Sequence, residues 1–139
     1  MRKLLIILTV IIVLSCKISF GQDSRQHAID TKLKKCQETN GSTIGLVECK
    51  ENAEKDWDAE LNKYYKLLLG TLSVDEKQTL RETQREWLLF KEKEVKFYLK
   101  VYGSKDGSMW NVVIADKKMQ IVRQRAIDLM GYYELLTQQ

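Results

Sequence analysis

The sequence contains no proline, a single histidine and only three cysteines among 139 residues. Without proline, nothing in the chain forces a kink or an early end in a helix. The one histidine, His27, has no neighbouring serine, cysteine or carboxylate that suggests a nucleophile–base pair, so we expect an ordinary surface histidine. No glycine-rich phosphate-binding loop is present. These absences argue against an enzyme and predict a protein without a cofactor.

The first 21 residues have the pattern of a secretory signal peptide. Two basic residues precede an apolar run from Leu4 to Leu14, and Ser19-Phe20-Gly21 supplies the small residues expected before a cleavage site. The apolar run is shorter than the about 20 residues that a membrane-spanning helix needs. We therefore predict a periplasmic or secreted protein whose mature domain covers residues 22–139.

Cys16 leaves a second interpretation of this leader open. Val13-Leu14-Ser15-Cys16 resembles a lipidation motif, with bulky Leu14 at a position where a small residue is usual. Lipidation at Cys16 would anchor the protein in the envelope through acyl chains, and a membrane would then be a partner. We favour the simpler interpretation, in which Cys16 is removed with the leader.

The basic residues of the leader account for most of the formal net charge of +4. Arg2, Lys3 and Lys17 lie in the leader, and their removal leaves 20 basic residues against 19 acidic ones. A nearly neutral domain has no overall field that would attract nucleic acid. Nucleic acid is therefore excluded as a partner.

Two cysteines remain after removal of the leader, Cys36 and Cys49. An even number of cysteines in an exported domain favours a disulfide. Closing a loop of this length stabilises a fold by about 3 kcal/mol in the chain-entropy model. The alternative is a metal site that combines both cysteines with His27, but the chain has no spacing typical of zinc ligands. We predict the disulfide and no metal.

Apolar residues recur at helical spacing in four segments. The first is short and places Ile29 and Leu33 on one face, and the second runs from about Ile44 to Leu69. Ser73 and Glu76 form a capping box that opens the third. A fourth follows the loop from Gly103 to Ser108. The pattern predicts an all-α, small antiparallel helical bundle in which a short N-terminal helix precedes three longer helices and one disulfide is present.

The second and third helices form the predicted centre of this bundle. Their facing apolar residues include Trp57 and Trp87, which we expect to be buried between the two helices. Asn62 and Gln84 lie close to the same faces. Because buried amides need partners, we expect them to bond to each other or to neighbouring backbone and so to set the register. The alternative is that they line a recognition groove.

Several short motifs occur in order along the chain and share the spacing of one protein family. They are the Cys36…Cys49 pair, Asp58-x-x-Leu61-Asn62-x-x-Tyr65, Leu80-x-x-x-Gln84-Arg85-x-Trp87-x-x-Phe90-Lys91, Gly107-Ser108-Met109 and Arg125-x-x-x-Leu129. With them the chain resembles the lysozyme inhibitor LprI N-terminal domain family of small exported helical proteins. The resemblance implies that certain motif residues have a structural or partner-binding role, namely Asp58, Leu61, Asn62, Tyr65, Gln84 and Trp87. A second cysteine pair, frequent in the family, is absent here.

The family resemblance implies a non-catalytic envelope protein that binds a protein partner, with lysozyme as the named candidate. A lysozyme inhibitor must block a cleft that contains two carboxylates. An acidic inhibitor would gain from attraction to basic lysozymes, an advantage that the nearly neutral net charge does not provide. The alternative is a structural or scaffolding module of the cell envelope without lysozyme activity.

Intact mass of the exported protein tests the processing and the disulfide together. We expect the mass of residues 22–139 less two hydrogens, because cleavage follows Gly21 and the two remaining thiols are oxidised. A mass that begins at Cys16 and includes acyl chains would contradict the predicted cleavage. Recovery of the two hydrogens after reduction is the control.

Overall fold

The structure, a computed structural model, describes residues 27–138. Its four helices confirm the predicted all-α bundle, and this part of the chain contains no strand. The helices are α1 (Ala28–Thr39), α2 (Thr43–Thr71), α3 (Val74–Gly103) and α4 (Met109–Thr137). The predicted leader and Cys16 lie outside the described residues. Within residues 27–138, no helix is both long enough and apolar enough to cross a bilayer.

Side chains cap the N-termini of the first three helices. The Ser42 hydroxyl accepts a hydrogen bond from the Gly45 N–H at 3.0 Å, which caps α2. At the start of α3, the Glu76 carboxylate accepts from the Ser73 N–H at 2.8 Å and completes the predicted capping box. The hydrogen bonds from Ser73 lower the pKa of Glu76 below its ordinary value. These caps determine where α2 and α3 begin.

His27 caps α1, a role that the sequence pattern did not reveal. Its Nδ1 accepts a hydrogen bond from the Ile29 N–H at 3.3 Å. Its ring also packs on Trp57, with the ring centroids 4.5 Å apart. The expectation of an ordinary surface histidine was therefore wrong. Ser108 precedes α4 but does not cap it through its side chain, since its hydroxyl makes no capping hydrogen bond to that helix.

The core is built by α2 and α4, and not by the predicted hairpin of α2 and α3. Helices α2 and α4 pack along their length, whereas α2 and α3 have no extended packing against each other. Near the start of both helices, Lys50 Nζ lies 2.5 Å from Asp116 Oδ1. Near their ends, the rings of Tyr64 and Tyr133 are 6.0 Å apart. Consecutive long helices are antiparallel, so α2 and α4 run parallel to each other.

The buried side chains explain why α4 displaces α3 from the centre. Helix α4 contributes a nearly continuous apolar stripe, while the only buried residue of α3 is the polar Gln84. Burial of apolar surface is the main favourable term in folding, so α2 packs on the helix that offers more of it. The buried core residues of the two helices are Ala53, Trp57, Leu61, Leu68, Met119, Val122, Ala126 and Leu129.

The two tryptophans have different environments. Trp57 is only 1% exposed, which confirms the prediction of burial, but it lies beneath α1 and against α4. Trp87 is half-buried and packs against the edge of the core. Its ring also lies 5.6 Å from Lys91 Nζ. The expectation that α2 and α3 bury both rings between them was therefore wrong.

A disulfide and a charged hydrogen-bonded pair hold α1 on the core. The predicted disulfide joins Cys36 to Cys49 and fastens the end of α1 to the first half of α2. At the other end of α1, Arg123 donates two hydrogen bonds to Asp30, from Nε at 2.9 Å and from Nη2 at 2.6 Å. The guanidinium also lies 5.3 Å from the Trp57 ring. The bond to Asp30 raises the pKa of Arg123, so the pair strengthens the charged form.

Two truncations test whether α4 belongs to the core and α3 does not. Leu129→Ala in α4 should lower the free energy of unfolding by about 2–5 kcal/mol, because the side chain is fully buried. Phe97→Ala in α3 should change it by less than about 0.5 kcal/mol, because this ring is 59% exposed. Urea denaturation followed by circular dichroism measures both. Equal losses would contradict the core described here.

Candidate functional site

A cleft separates α2 from α3, and α4 forms its floor. The two flanking helices are joined by the short link Leu72-Ser73, yet they do not pack against each other over most of their length. Side chains from all three helices line the space between them. We call this space the interhelix cleft. A family motif residue, Asp58, lines part of it.

The part of the interhelix cleft nearest the α3–α4 loop is mainly apolar. It has a volume of about 620 Å³ and is lined by Ile44 and Val47 of α2, Leu99 of α3 and Ile114 of α4. Ile44 is 73% exposed and Leu99 is 52% exposed, so these side chains are available for contact. Contiguous exposed apolar surface often marks a site of contact with another molecule.

The neighbouring part of the cleft is charged. It has a volume of about 560 Å³ and is lined by three acidic residues and Lys55 of α2, by Lys91 of α3 and by Lys118 of α4. Glu51 and Lys118 line both parts, which makes the cleft continuous. Across the floor, Lys118 Nζ lies 3.8 Å from Glu54 Oε2. The cleft therefore offers apolar contact at one end and charge at the other.

The acidic residues of α2 form a row along one side of the cleft. Glu48, Glu51, Glu54 and Asp58 are spaced by three or four residues, so they follow one face of the helix. We call this row the acidic edge. The net charge of the domain is close to zero, but its charges are unevenly distributed. Lys55, Lys91 and Lys118 line the same part of the cleft, so the acidic edge lies beside positive charge as well as apolar surface.

The first family motif combines a core contact with an exposed surface. Leu61 is buried in the core and Tyr65 packs against it. Asp58 and Asn62 are exposed, and the Asn62 side-chain amide donates to the Asp58 carbonyl at 2.8 Å and to its carboxylate at 3.0 Å. This bond orients the Asp58 carboxylate at the rim of the cleft. Asn62 is thus a local support and not a buried amide.

The second family motif is tied to α4 through a buried polar pair. Gln84 Oε1 accepts a hydrogen bond from Arg125 Nε at 3.0 Å, and both residues are 9% exposed. The hydrogen bond of Gln84 therefore joins α3 to α4, which is a structural role. Its partner is an arginine of α4, so the expected bond to Asn62 is not present. No described groove brings Asp58, Asn62 and Gln84 together.

The described residues offer no alternative metal chemistry. Cys36 and Cys49 are joined to each other, which removes them from the three-residue metal site considered with His27. Between residues 27 and 138, no group of three or more histidine, cysteine or acidic side chains could hold a metal ion. The cleft has carboxylates, ammonium groups and apolar side chains, which are the means of binding a partner surface.

Sequence reasoning missed most of the cleft because three helices contribute to it. Lys118 and Leu99 belong to no motif, and only packing brings them beside α2. The acidic edge, in contrast, has a sequence signal in its helical spacing, Glu48 to Asp58. Recognising it required knowing that this face of α2 is free, which follows from the absence of packing by α3.

Comparison with known proteins identifies the family of the chain. The family described as lysozyme inhibitor LprI matches residues 34–129, which is more than half of the chain. The chain belongs to this family. The match spans the disulfide, the whole interhelix cleft and the Gln84–Arg125 pair of this LprI-family protein. No curated protein matches the chain significantly.

A solved structure supports the same arrangement of helices. The crystal structure of an uncharacterized protein from Burkholderia thailandensis is similar, with a TM-score of 0.77 and 30% sequence identity. The similarity covers 83% of this chain and 58% of that chain. The LprI-family protein described here therefore spans less than two thirds of that longer protein.

The two motif amides should differ in their contribution to stability. Gln84→Ala should lower the free energy of unfolding by about 1–3 kcal/mol, because it leaves the buried Arg125 without its hydrogen bond. Asn62→Ala should cost no more than about 0.5 kcal/mol, since its bond is exposed and within one helix turn. Urea denaturation of both variants gives the comparison. An equal or larger loss for Asn62→Ala would contradict the assignment.

Proposed function

We propose that this protein is an exported, non-catalytic binding module that inhibits lysozyme. The single observation that carries the proposal is membership of the LprI family, whose description names lysozyme inhibition. The signal peptide predicted for residues 1–21 supports export to the compartment where lysozyme acts. Inhibition of this kind requires binding alone, and the side chains of the interhelix cleft are suited to binding.

The acidic edge supports a basic protein as the partner. Its carboxylates lie beside apolar side chains, so the same surface combines long-range attraction with area for close contact. Lysozymes are often basic. In this proposal the acidic edge contacts the basic surface that surrounds the lysozyme active site, because acidic groups would be repelled by the two carboxylates inside it.

The α3–α4 loop is the element proposed to enter the lysozyme cleft. It is exposed from Gly103 to Ser108, and Ser108 also lines the apolar end of the interhelix cleft. The loop carries one cation, Lys105, and one carboxylate, Asp106, and in this proposal Lys105 faces the carboxylates of the lysozyme active site while Asp106 points away from them. Gly107 adopts φ of 97°, a left-handed conformation that favours glycine and shapes the turn. The loop and the acidic edge can therefore contact one partner together.

Lysozyme-catalysed lysis of a bacterial cell-wall suspension tests the proposal. The purified mature protein, at micromolar concentration, should slow lysis, and added salt should weaken the inhibition because screening reduces charge attraction. Glu48→Lys/Glu51→Lys reverses charge at the acidic edge and should weaken inhibition by roughly tenfold or more, the scale of a few lost surface charge contacts.

A matched variant controls for the change in net charge. Glu86→Lys/Glu134→Lys alters the net charge equally at exposed positions that do not line the cleft, and should leave inhibition unchanged. No inhibition by the wild-type protein at high molar excess would overturn lysozyme as the partner. Equal effects of the two double variants would overturn the acidic edge as the contact.

One observation favours a scaffold of the cell envelope as a second candidate. Phe90, Phe97 and Val101 are exposed and recur on one face of α3, away from α4. Exposed apolar surface of this kind is typical of contact with another protein. Capture of an envelope protein that is lost in Phe90→Ser/Phe97→Ser, together with no effect on lysozyme, would favour this candidate over inhibition.

A further inference from the structure

A second groove lies at the other end of the domain, near the link between α2 and α3. It has a volume of about 430 Å³, within the size range of small-molecule sites. Its walls are the end of α2, the first turns of α3 and the second half of α4. Most of the lining is aliphatic or aromatic and includes Leu68, Leu72, Leu80, Tyr132 and Leu136.

Arg125 lines this groove and is one of two described residues with a buried N–H group that lacks a hydrogen-bond partner, the other being Trp57. The Arg125 side chain is buried, with 9% of the residue exposed, and its Nε donates to Gln84. The Nη2 atom is fully buried and has no hydrogen-bond partner among the described residues. In the same part of the chain, no aspartate or glutamate forms an ion pair with Arg125. We call this space the Arg125 groove.

A buried guanidinium without a counter-charge is costly. Removing a cation from water is compensated only when a negative group and further hydrogen bonds replace the lost hydration. Gln84 is neutral and satisfies one of the five N–H donors of the arginine. A carboxylate matches the remaining donors, since it can accept two parallel hydrogen bonds from one guanidinium.

We propose that the Arg125 groove binds a free aliphatic monocarboxylate, with the chain along the leucines and the carboxylate on the Arg125 guanidinium, which requires the side chains that cover Nη2 to move aside. The apolar lining accounts for the aliphatic part of the ligand, and the unpartnered buried guanidinium accounts for its single negative charge. This site is separate from the interhelix cleft, so the proposal does not depend on lysozyme inhibition.

Two acidic residues near the mouth restrict what can enter. Asp75 and Glu76 line the groove and are exposed. The Glu76 carboxylate accepts hydrogen bonds in the Ser73 capping box, whereas among the described contacts Asp75 accepts one only at its backbone carbonyl, from Thr79, and its carboxylate accepts none. Their negative charge opposes ligands with several charges, such as phosphates, more strongly than a monoanion. Asp75 should therefore weaken the binding of a monocarboxylate and exclude more highly charged anions.

Isothermal titration of the mature protein with octanoate tests the site, with octan-1-ol as the uncharged control of equal chain length. Octanoate should bind saturably and at least roughly tenfold more tightly than the alcohol, the scale expected for a charge-assisted pair of hydrogen bonds. Arg125→Met should abolish this preference, and Arg125→Lys should reduce it because lysine lacks the forked geometry. Asp75→Asn should strengthen octanoate binding severalfold by removing a like charge.

The wild-type and Asp75→Asn measurements keep the test decisive if a variant of the buried arginine does not fold. Circular dichroism establishes which variants are folded. Absence of saturable octanoate binding, or equal affinities for octanoate and octan-1-ol, would overturn the proposal. Sedimentation of the protein with phosphatidylcholine vesicles that contain oleate, without any binding of soluble octanoate, would also overturn the proposal. The ligand would then be a membrane surface.

Discussion

The parallel packing of α2 against α4 is the constraint on which the rest of the structure depends. The chain must return along the core between these two parallel helices. Helix α3 does this with 30 residues, close to the 29 of each core helix. It packs against α4 and has no extended packing against α2, so its own apolar residues are largely exposed. The core and the return helix therefore have different roles.

The interhelix cleft is a direct result of this arrangement. Had α2 and α3 packed as a simple hairpin, the side chains that line the cleft would be buried between them. Because they do not, α2 keeps a free face, and that face carries the acidic edge. The ion pair between Lys118 and Glu54 lies across its floor. Apolar surface and a row of carboxylates with nearby lysines are thus placed side by side on a nearly neutral domain.

Polar groups that are partly or fully buried hold the helices of this domain in position. Arg123 is bonded at both ends of its fork to Asp30 and covers Trp57, so the short α1 has one position on the core. The disulfide fixes the other end of α1. Arg125 shares its burial with Gln84 but has no acidic partner among the described residues. The two arginines therefore differ. Arg123 forms a charge-paired structural contact with Asp30, whereas Arg125 keeps N–H donors that have no partner among the described residues.

The sequence by itself determined the helices, most of their ends and the disulfide, because periodicity, caps and cysteine pairing are local or compositional signals. It also determined the family, through motifs whose order and spacing are visible in the chain. Only the tertiary structure decided which helices pair, since α2 offered an apolar face that either α3 or α4 could have covered. Helix α4 packs on α2 because it offers the larger apolar surface for burial. The cleft, the partner of Gln84 and the surroundings of Arg125 all follow from that choice, and each joins residues too distant in sequence for any local pattern to connect.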